Sequence, residues 1–344
     1  MRIAVIGAGR MGSIRAEDLI SGGAQVTLFN RRDNVAKELA QKLNCSSAEY
    51  ADLLKLNFDG YVVATATNSH IAILDQLIPL GKPILCEKPI SLTVEETDSV
   101  IEKCAKYGTQ IQVGFQRRFD PPISEAAMKV ASGEVGTLYT MHMYAHDHQP
   151  STLEFLEGSG SIYRDLHVHD FDLVRWITQS EIAKVYATQA VREHQQYAKY
   201  NDADVSLISL TTESGVQVAI TGTRHNPVGH DVRFEVFGSK DSIAVGLNLK
   251  TPIHDIEGEI SFSEIRYTGF IERFRQAFAQ ESHAFIEFVD GKTANPCPPI
   301  NARQALRVAI ACEESILSGS AVELKSNEVC SDRLGNFILS RLVD

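Results

Sequence analysis

The chain opens with a short apolar run that leads directly into a glycine-rich turn. Residues 2–6 have the character of a buried strand, the next six have the spacing Gly-x-Gly-x-x-Gly, and an amphipathic helical pattern follows. In this arrangement the first glycine permits the turn, the second lets backbone approach a diphosphate, and the third allows close helix–strand packing. An ordinary strand–helix turn is the alternative. We predict a dinucleotide-binding unit with contacts from Gly7, Gly9, Arg10, Met11 and Gly12.

Composition limits the class of protein. With 344 residues, 44% hydrophobic and 22% charged, the chain is typical of a globular protein of two domains. The net charge of −11 argues against a nucleic-acid surface, and no apolar run has the roughly 20 residues of a membrane helix. The first apolar run ends in glycines, so we expect no signal peptide. The six cysteines are scattered, which favours free thiols in the cytoplasm and no metal site: Cys45, Cys86, Cys104, Cys297, Cys312 and Cys330.

Two differently patterned regions follow. Residues 1–120 alternate strand-like and helix-like segments, which predicts a parallel sheet covered by helices. Residues 121–344 are dominated by strand patterns, which predicts an α+β domain with a large, mostly antiparallel open sheet. Pro121 and Pro122 are the predicted hinge. The open sheet face needs a cover, which the helices, the first domain or another subunit could supply; we predict subunit pairing in a homodimer or homotetramer. Among the predicted helices are residues 47–54, 165–177 and 272–290.

The second predicted strand ends in Asn30-Arg31-Arg32. An acidic residue at this point would accept hydrogen bonds from the adenine ribose of NAD, whereas guanidinium groups suit a 2′-phosphate. The sequence therefore predicts that these three residues contact the cofactor and that NADP is preferred, with NAD possible. The alternative is that the two arginines are solvated residues at the start of the next helix.

Two further segments follow strands of the parallel sheet, where ligands bind in such folds. Thr65, Thr67, Asn68 and His70 come after one strand, although Asn68 or Ser69 could simply cap the next helix. Glu87-Lys88-Pro89 comes after another, and the proline holds Lys88 extended. We predict cofactor contacts from both segments. A lysine in this position is commonly only a solvated surface residue.

A third candidate segment lies in the second region. If a helix opens at Asp165, then Asp165 and His169 lie four residues apart on one face, and His169 can take a proton near neutral pH. His146, His148 and His167 lie nearby, which raises the alternative of a metal site. The spacing of His167 and His169 makes them diverge on a helix, so we predict no metal.

Together, these motifs resemble the Gfo/Idh/MocA oxidoreductases, which include glucose–fructose oxidoreductase and inositol dehydrogenase. The motifs are the glycine turn, Glu87-Lys88-Pro89, residues 114–120 and Asp165-x-x-x-His169-Asp170. The resemblance spans nearly the whole chain. It implies a Rossmann domain followed by a domain with a broad sheet, and a catalytic set of Lys88, Asp165 and His169. Whether Lys88 or His169 is the direct proton acceptor stays open.

The resemblance also implies a substrate class. It is closest to inositol dehydrogenases around residues 114–120, which makes Gln116 and Arg117 candidate substrate contacts. His146, His148 and His230 stand where those enzymes carry other residues, which points to a sugar or cyclitol read by a different set of donors and acceptors.

Three functions are consistent with this pattern. The first is an NAD(P)-dependent dehydrogenase or reductase acting on a secondary or anomeric hydroxyl of a sugar or inositol-like polyol. The second is an NAD-dependent oxidoreductive glycosidase on the same scaffold. The third is a dinucleotide sensor without catalysis, which the presence of both Lys88 and His169 disfavours.

Overall fold

Residues 1–324 are described by the structure, a computed structural model, and they form two compact units. One unit contains Met1–Phe119 and Gln276–Arg303, and the other contains Asp120–Arg275 and the described residues from Gln304 onward. Segment 276–303 thus groups with the N-terminal residues, while the predicted domain division at residue 120 stays a prediction. Cys330, one of the predicted free thiols, lies outside the described residues; Cys45, Cys86, Cys104, Cys297 and Cys312 are free.

The described residues form the following strands and helices, each set in chain order. The strands are β1 (Arg2–Ile6), β2 (Gln25–Phe29), β3 (Ser46–Ser47), β4 (Gly60–Val63), β5 (Ile84–Glu87), β6 (Ile111–Gly114), β7 (Leu138–His146), β8 (Ile182–Ala190), β9 (Val205–Thr212), β10 (Gln217–Thr223), β11 (Asp231–Gly238), β12 (Ser242–Val245) and β13 (Val322–Glu323). The helices are α1 (Arg10–Ser21), α2 (Asp33–Leu43), α3 (His70–Leu77), α4 (Val94–Tyr107), α5 (Pro121–Ala131), α6 (Leu153–Ser159), α7 (Val168–Thr178), α8 (Phe270–Arg273), α9 (Arg275–Val289) and α10 (Pro299–Ser318).

The first unit is built on a parallel sheet of order β3-β2-β1-β4-β5-β6. All residues of β4, β5 and β6 are buried, as expected for strands covered by helices on both faces. Phe285 and Phe288 of α9 join the core formed by β1, β2 and α1, so a late segment of the chain completes this core. The fold class predicted for this region is confirmed.

The second unit is built on a mixed sheet of order β12-β11-β7-β10-β9-β8-β13. Its neighbouring strands pair antiparallel except β7 and β10, which pair parallel, with Thr223 opposite His146. Buried and more exposed residues alternate along β9 and β10 because one face packs on the core. The predicted mostly antiparallel open sheet is therefore confirmed. The parallel pair places the carboxyl ends of β7 and β10 side by side.

Several predicted elements differ from those observed. Residues 47–54 form the end of β3 and a single 3₁₀ turn at Tyr50–Asp52 rather than a helix. The predicted helix over 272–290 is two helices, because the backbone leaves helical geometry at Phe274. Pro121 and Pro122, the predicted hinge, form the first turn of α5, since proline is well suited to a first helical turn.

Candidate active site

The glycine turn has the shape that a dinucleotide diphosphate requires. A Cβ on Gly12 would lie 1.8 Å from the carbonyl oxygen of Gly7, so only glycine allows α1 to begin this close to β1. Gly7 has φ of +106°. A Cβ on Gly9 would meet nothing within 4 Å, so that face of the turn is open. No side chain caps α1, which leaves its first N–H groups directed at this open space. The residues present fit a dinucleotide.

The end of β2 is tied to this turn through Asn30. The Asn30 Oδ1 accepts a hydrogen bond from the Ala8 N–H at 3.4 Å, and its Nδ2 donates to the Arg32 carbonyl at 3.1 Å. Arg31 and Arg32 are exposed. The neutral amide is therefore committed to shaping the backbone, and the guanidinium groups of Arg31 and Arg32 face solvent at this corner.

His70 connects the ends of β4 and β5. Its Nδ1 lies 2.9 Å from the Pro89 carbonyl oxygen and its Nε2 lies 3.1 Å from the Thr65 carbonyl oxygen. The ring is 1% exposed, and burial lowers the pKa of His70, so the neutral form is favoured. His70 therefore positions the backbone around Lys88, and direct contact with the cofactor stays a prediction.

Lys88 lies at the same sheet edge as the glycine turn. Ile6 pairs with Val63, and Val63 pairs with Cys86, so the carboxyl ends of β1, β4 and β5 are adjacent. Lys88 follows β5 directly and is partly exposed. The neighbouring strand β6 ends in a 3₁₀ turn, Gln116–Phe119, that carries the candidate substrate residues Gln116 and Arg117, both buried. The first unit therefore brings these side chains to one edge.

A buried ion network anchors Glu87, the residue before Lys88. The Arg15 Nε donates to Glu87 Oε1 at 2.7 Å, and the Arg15 Nη2 donates to Glu281 Oε2 at 2.5 Å. Burial lowers the pKa of Arg15, but Glu281 and Glu87 outweigh it and the pKa is raised above its usual value. Glu87 is thus held by Arg15, which gives it a positioning role. Its predicted cofactor contact stays a prediction. Sequence reasoning missed Arg15 and Glu281, because 266 residues separate them.

Contrary to the prediction, no helix begins at Asp165. Its N–H donates to the Ser161 carbonyl at 3.0 Å, so it lies inside a helical segment, and Tyr163–His167 form a π turn before α7. A residue at the very start of a helix has no such bond, so the predicted helix start at Asp165 is wrong. The π turn also alters the spacing that placed Asp165 and His169 on one face, since it has more residues per turn.

The carboxylate of Asp165 instead pairs with a buried arginine. The Arg224 Nη1 lies 3.2 Å from Asp165 Oδ2, and the Arg224 Nη2 lies 2.9 Å from Asp202 Oδ2. Burial lowers the pKa of Arg224, but the two carboxylates outweigh it and raise the pKa. Because Arg224 is fully buried and charged, it fixes the orientation of Asp165. No local pattern in the sequence indicated Arg224, which is 59 residues from Asp165.

α7 packs on the core face of the second sheet. The His167 Nε2 lies 2.7 Å from Ser206 Oγ, and its Nδ1 lies 2.8 Å from Asp170 Oδ2. A Cβ on Gly222 would lie 2.3 Å from the His167 ring. His167 is therefore structural. His169, in the first turn of α7, is 8% exposed.

The three candidate substrate histidines of this unit lie at different positions around the second sheet. His146 bonds Thr221 Oγ1 at 3.1 Å on the face opposite α7, and burial lowers its pKa. His230 directly precedes β11 and lies two residues before Val232 and four before Phe234, which both face the core. Side chains two residues apart on a strand share a face, so His230 lies on the α7 side. Its Nδ1 lies 3.4 Å from Asp147 Oδ1. The His148 Nδ1 lies 3.0 Å from the Asn226 carbonyl oxygen, in the loops beyond these strand ends. The structure thus places His146 and His230 on opposite sides of the sheet.

Comparison with known proteins places this geometry among nicotinamide-dependent enzymes. Residues 1–115 match a family model described as an oxidoreductase family with an NAD-binding Rossmann fold, and residues 123–244 match the GFO/IDH/MocA C-terminal domain. No helix within residues 1–324 is long and apolar enough to cross a membrane.

Three relatives illustrate the similarity. The chain is 30% identical to a myo-inositol 2-dehydrogenase of Thermotoga maritima, covering 94% of this chain and 99% of the relative. It is 30% identical to a scyllo-inositol 2-dehydrogenase (NAD(+)) of Bacillus subtilis, covering 94% and 96%. The crystal structure of a myo-inositol dehydrogenase from Corynebacterium glutamicum is similar with a TM-score of 0.87 and 30% identity, covering 95% of this chain and 99% of that one.

Proposed function

The chain belongs to the GFO/IDH/MocA oxidoreductase family, and on that premise we propose that it is a dehydrogenase or reductase of sugars or cyclitols. Its reaction would transfer a hydride between a secondary or anomeric hydroxyl carbon and the nicotinamide. The observation that carries this proposal is the edge of the first sheet, where the open glycine turn follows β1 and Lys88 follows β5, with only β4 between these two strands. The inositol dehydrogenases among the relatives support a ring alcohol as substrate.

The chain's own residues provide acid–base chemistry and orientation. A bound nicotinamide dinucleotide supplies the hydride acceptor or donor. We propose that the His169 imidazole takes the hydroxyl proton during oxidation while the Lys88 ammonium stabilises negative charge on the reacting oxygen. Asp165, oriented by Arg224, would tune the charge around the reacting groups.

The proposed substrate contacts are polar side chains that can bind hydroxyl groups. Gln116 and Arg117 offer an amide and a guanidinium, and His148 and His230 offer imidazoles that can donate or accept hydrogen bonds. His146 has the least structural support for this role, since its ring is bonded to Thr221 on the face opposite α7. Gly7, Gly9, Arg10, Met11 and Gly12, with Thr65, Thr67 and Asn68, remain the proposed cofactor contacts.

The test is a substrate panel followed by nicotinamide absorbance. Purified protein is incubated with inositols, aldoses and anhydro-sugars, each with NAD and with NADP, in the oxidative and reductive directions. We expect net reduction of the cofactor with at least one polyol or sugar. Release of an aglycone from a glycoside without net reduced cofactor would instead identify the oxidoreductive glycosidase. Cofactor binding without any turnover would identify a sensor.

We propose further that NADP is preferred over NAD. Support comes from the neutral Asn30, whose amide is committed to the backbone, and from the exposed guanidinium groups of Arg31 and Arg32 at the end of β2. Charge-assisted hydrogen bonds to a 2′-phosphate are each worth about 1.5–3 kcal/mol.

Replacing both arginines by alanine should therefore lower kcat/KM for NADP by about tenfold or more and change kcat/KM for NAD little. The measurement is steady-state kinetics with both cofactors. Lys37→Ala, which removes an exposed positive charge from the neighbouring helix α2, is the control and should leave the ratio unchanged. A parent protein that already favours NAD clearly would refute the preference.

We also propose a cytoplasmic homodimer or homotetramer. The face of the second sheet opposite α7 carries Tyr186 and Leu207, which are 44% and 53% exposed, and Tyr144 lies on the same face beyond Thr221 of β10. An apolar sheet face of this kind is commonly covered by a second subunit. Sedimentation velocity of the purified protein tests this assembly.

A further inference from the structure

A cluster of potential metal ligands lies in the second unit, apart from the histidines that the sequence pattern singled out. Glu193 and His194 belong to the segment after β8, and His225 follows β10 by two residues. One ligand atom from each side chain lies within 4.8 Å of the others. The tertiary structure thus brings together two imidazoles and a carboxylate from segments that are about 30 residues apart in sequence.

The ligand atoms of these side chains are almost as close to one another as the ligands of a bound metal ion are. The His225 Nδ1 lies 3.3 Å from Glu193 Oε2, and the His194 Nε2 lies 3.9 Å from the same oxygen. Ligands that bind a tetrahedral ion at about 2.0–2.2 Å are separated from one another by roughly 3.4 Å. Small rotations of the three side chains are therefore sufficient to bring their ligand atoms to bonding distance from one ion.

The backbone that carries these ligands is held by Asp204. Its carboxylate accepts hydrogen bonds from the N–H groups of Arg192, Glu193 and His194 at 2.7, 2.9 and 2.9 Å. Its carbonyl accepts the Arg224 N–H at 2.8 Å, immediately before His225. Burial raises the pKa of Asp204, but the three N–H groups outweigh it and lower the pKa. One buried residue therefore fixes both ligand-bearing segments.

We propose that Glu193, His194 and His225 bind a divalent transition-metal ion of the Zn²⁺ class. Two imidazoles with one carboxylate favour Zn²⁺, Co²⁺ or Ni²⁺ over Mg²⁺ and Ca²⁺, which prefer oxygen ligands. The Glu193 side chain is 70% exposed, so water completes the coordination. The ion cross-links the segment after β8 to the segment after β10, which also carries Arg224, the partner of Asp165.

The test is a calorimetric titration of EDTA-treated, dialysed full-length protein with Zn²⁺. We expect one saturable site whose Kd increases more than tenfold in Glu193→Gln and in His225→Gln. His254→Gln, a substitution of an exposed histidine elsewhere in the same unit, is the matched control and should bind like the parent. Because Glu193 is exposed, we expect Glu193→Gln to keep the fold. That variant therefore tests the site even if His225→Gln fails to fold.

X-ray absorption at the zinc edge provides a second readout. We expect a first shell of nitrogen and oxygen with imidazole scattering. A sulfur shell would place the ion at a cysteine, and equal affinity in the parent and in Glu193→Gln would place it elsewhere; either result, or the lack of saturable binding, overturns the proposal. Binding by Zn²⁺ should also raise the Tm of the parent, and not of Glu193→Gln, by about 2–4 °C or more.

Discussion

Lys88→Ala and His169→Ala are each expected to lower kcat by about 10²–10⁴ while leaving dinucleotide affinity largely intact. The physical reason is that each variant removes a group proposed to hold or move the substrate's proton, and neither changes the glycine turn. Lys88 is positioned by the end of β5 and by the buried ring of His70, which lies between the Pro89 and Thr65 carbonyls. His169 is positioned by the first turn of α7, which is seated on the sheet through His167.

The measurement combines steady-state kinetics on the best substrate of the panel with a fluorescence titration of reduced cofactor. Lys103→Ala and His254→Ala alter exposed residues of the same types in the same two units and should keep parental kcat. If both Lys88→Ala and His169→Ala retain activity, the catalytic assignment fails. Loss of cofactor binding in Lys88→Ala would show that the lysine acts mainly on the cofactor.

Arg15→Met is expected to destabilise the protein by about 3–5 kcal/mol. Arg15 is fully buried, and its removal leaves Glu87 and Glu281 close together in the core without their shared cation. Removing one partner of a buried ion network leaves an uncompensated charge, which accounts for the size of the effect. Because Glu87 precedes Lys88, the same change should also reduce activity.

The free energy of unfolding is measured by urea denaturation with circular dichroism. Lys103→Met is the matched control: it breaks the exposed Lys103–Asp75 pair, 2.6 Å apart, and should cost less than about 1 kcal/mol. The double variant Arg15→Met, Glu281→Gln should recover part of the loss, since one of the two charges is then removed. A change below about 1 kcal/mol for Arg15→Met would show that the network does not stabilise the fold.

The local elements of the first unit were predictable because their signals lie close together in sequence. The first 21 residues contain an apolar run, three glycines and an amphipathic stretch. These signals predict β1, the turn and α1, and the structure contains them as Arg2–Ile6, the glycine turn and Arg10–Ser21. The fold class and the family resemblance are confirmed as well. The helix predicted over residues 47–54 is wrong, because the two-residue strand β3 gives almost no periodic signal in the sequence.

The partners of the site residues were not predictable in the same way. Asp165 is singled out by its spacing to His169, yet its carboxylate pairs with Arg224, and Asp165 lies inside a π turn that changes this spacing. His70 was expected to contact a ligand, yet both ring nitrogens lie against backbone carbonyls. In each case the decisive contact joins segments that only the folded chain brings together.

The amino-acid sequence by itself determined the glycine turn, the alternating strands and helices of the first unit, and the residue types available for acid–base chemistry. These properties depend on side-chain periodicity and on backbone freedom over a few residues. The tertiary structure alone decided that β7 and β10 run parallel, that Arg15 joins α1 to α9, and that Glu193 and His194 meet His225. Pairing between distant segments depends on the burial and charge balance of the whole fold, which no local pattern encodes.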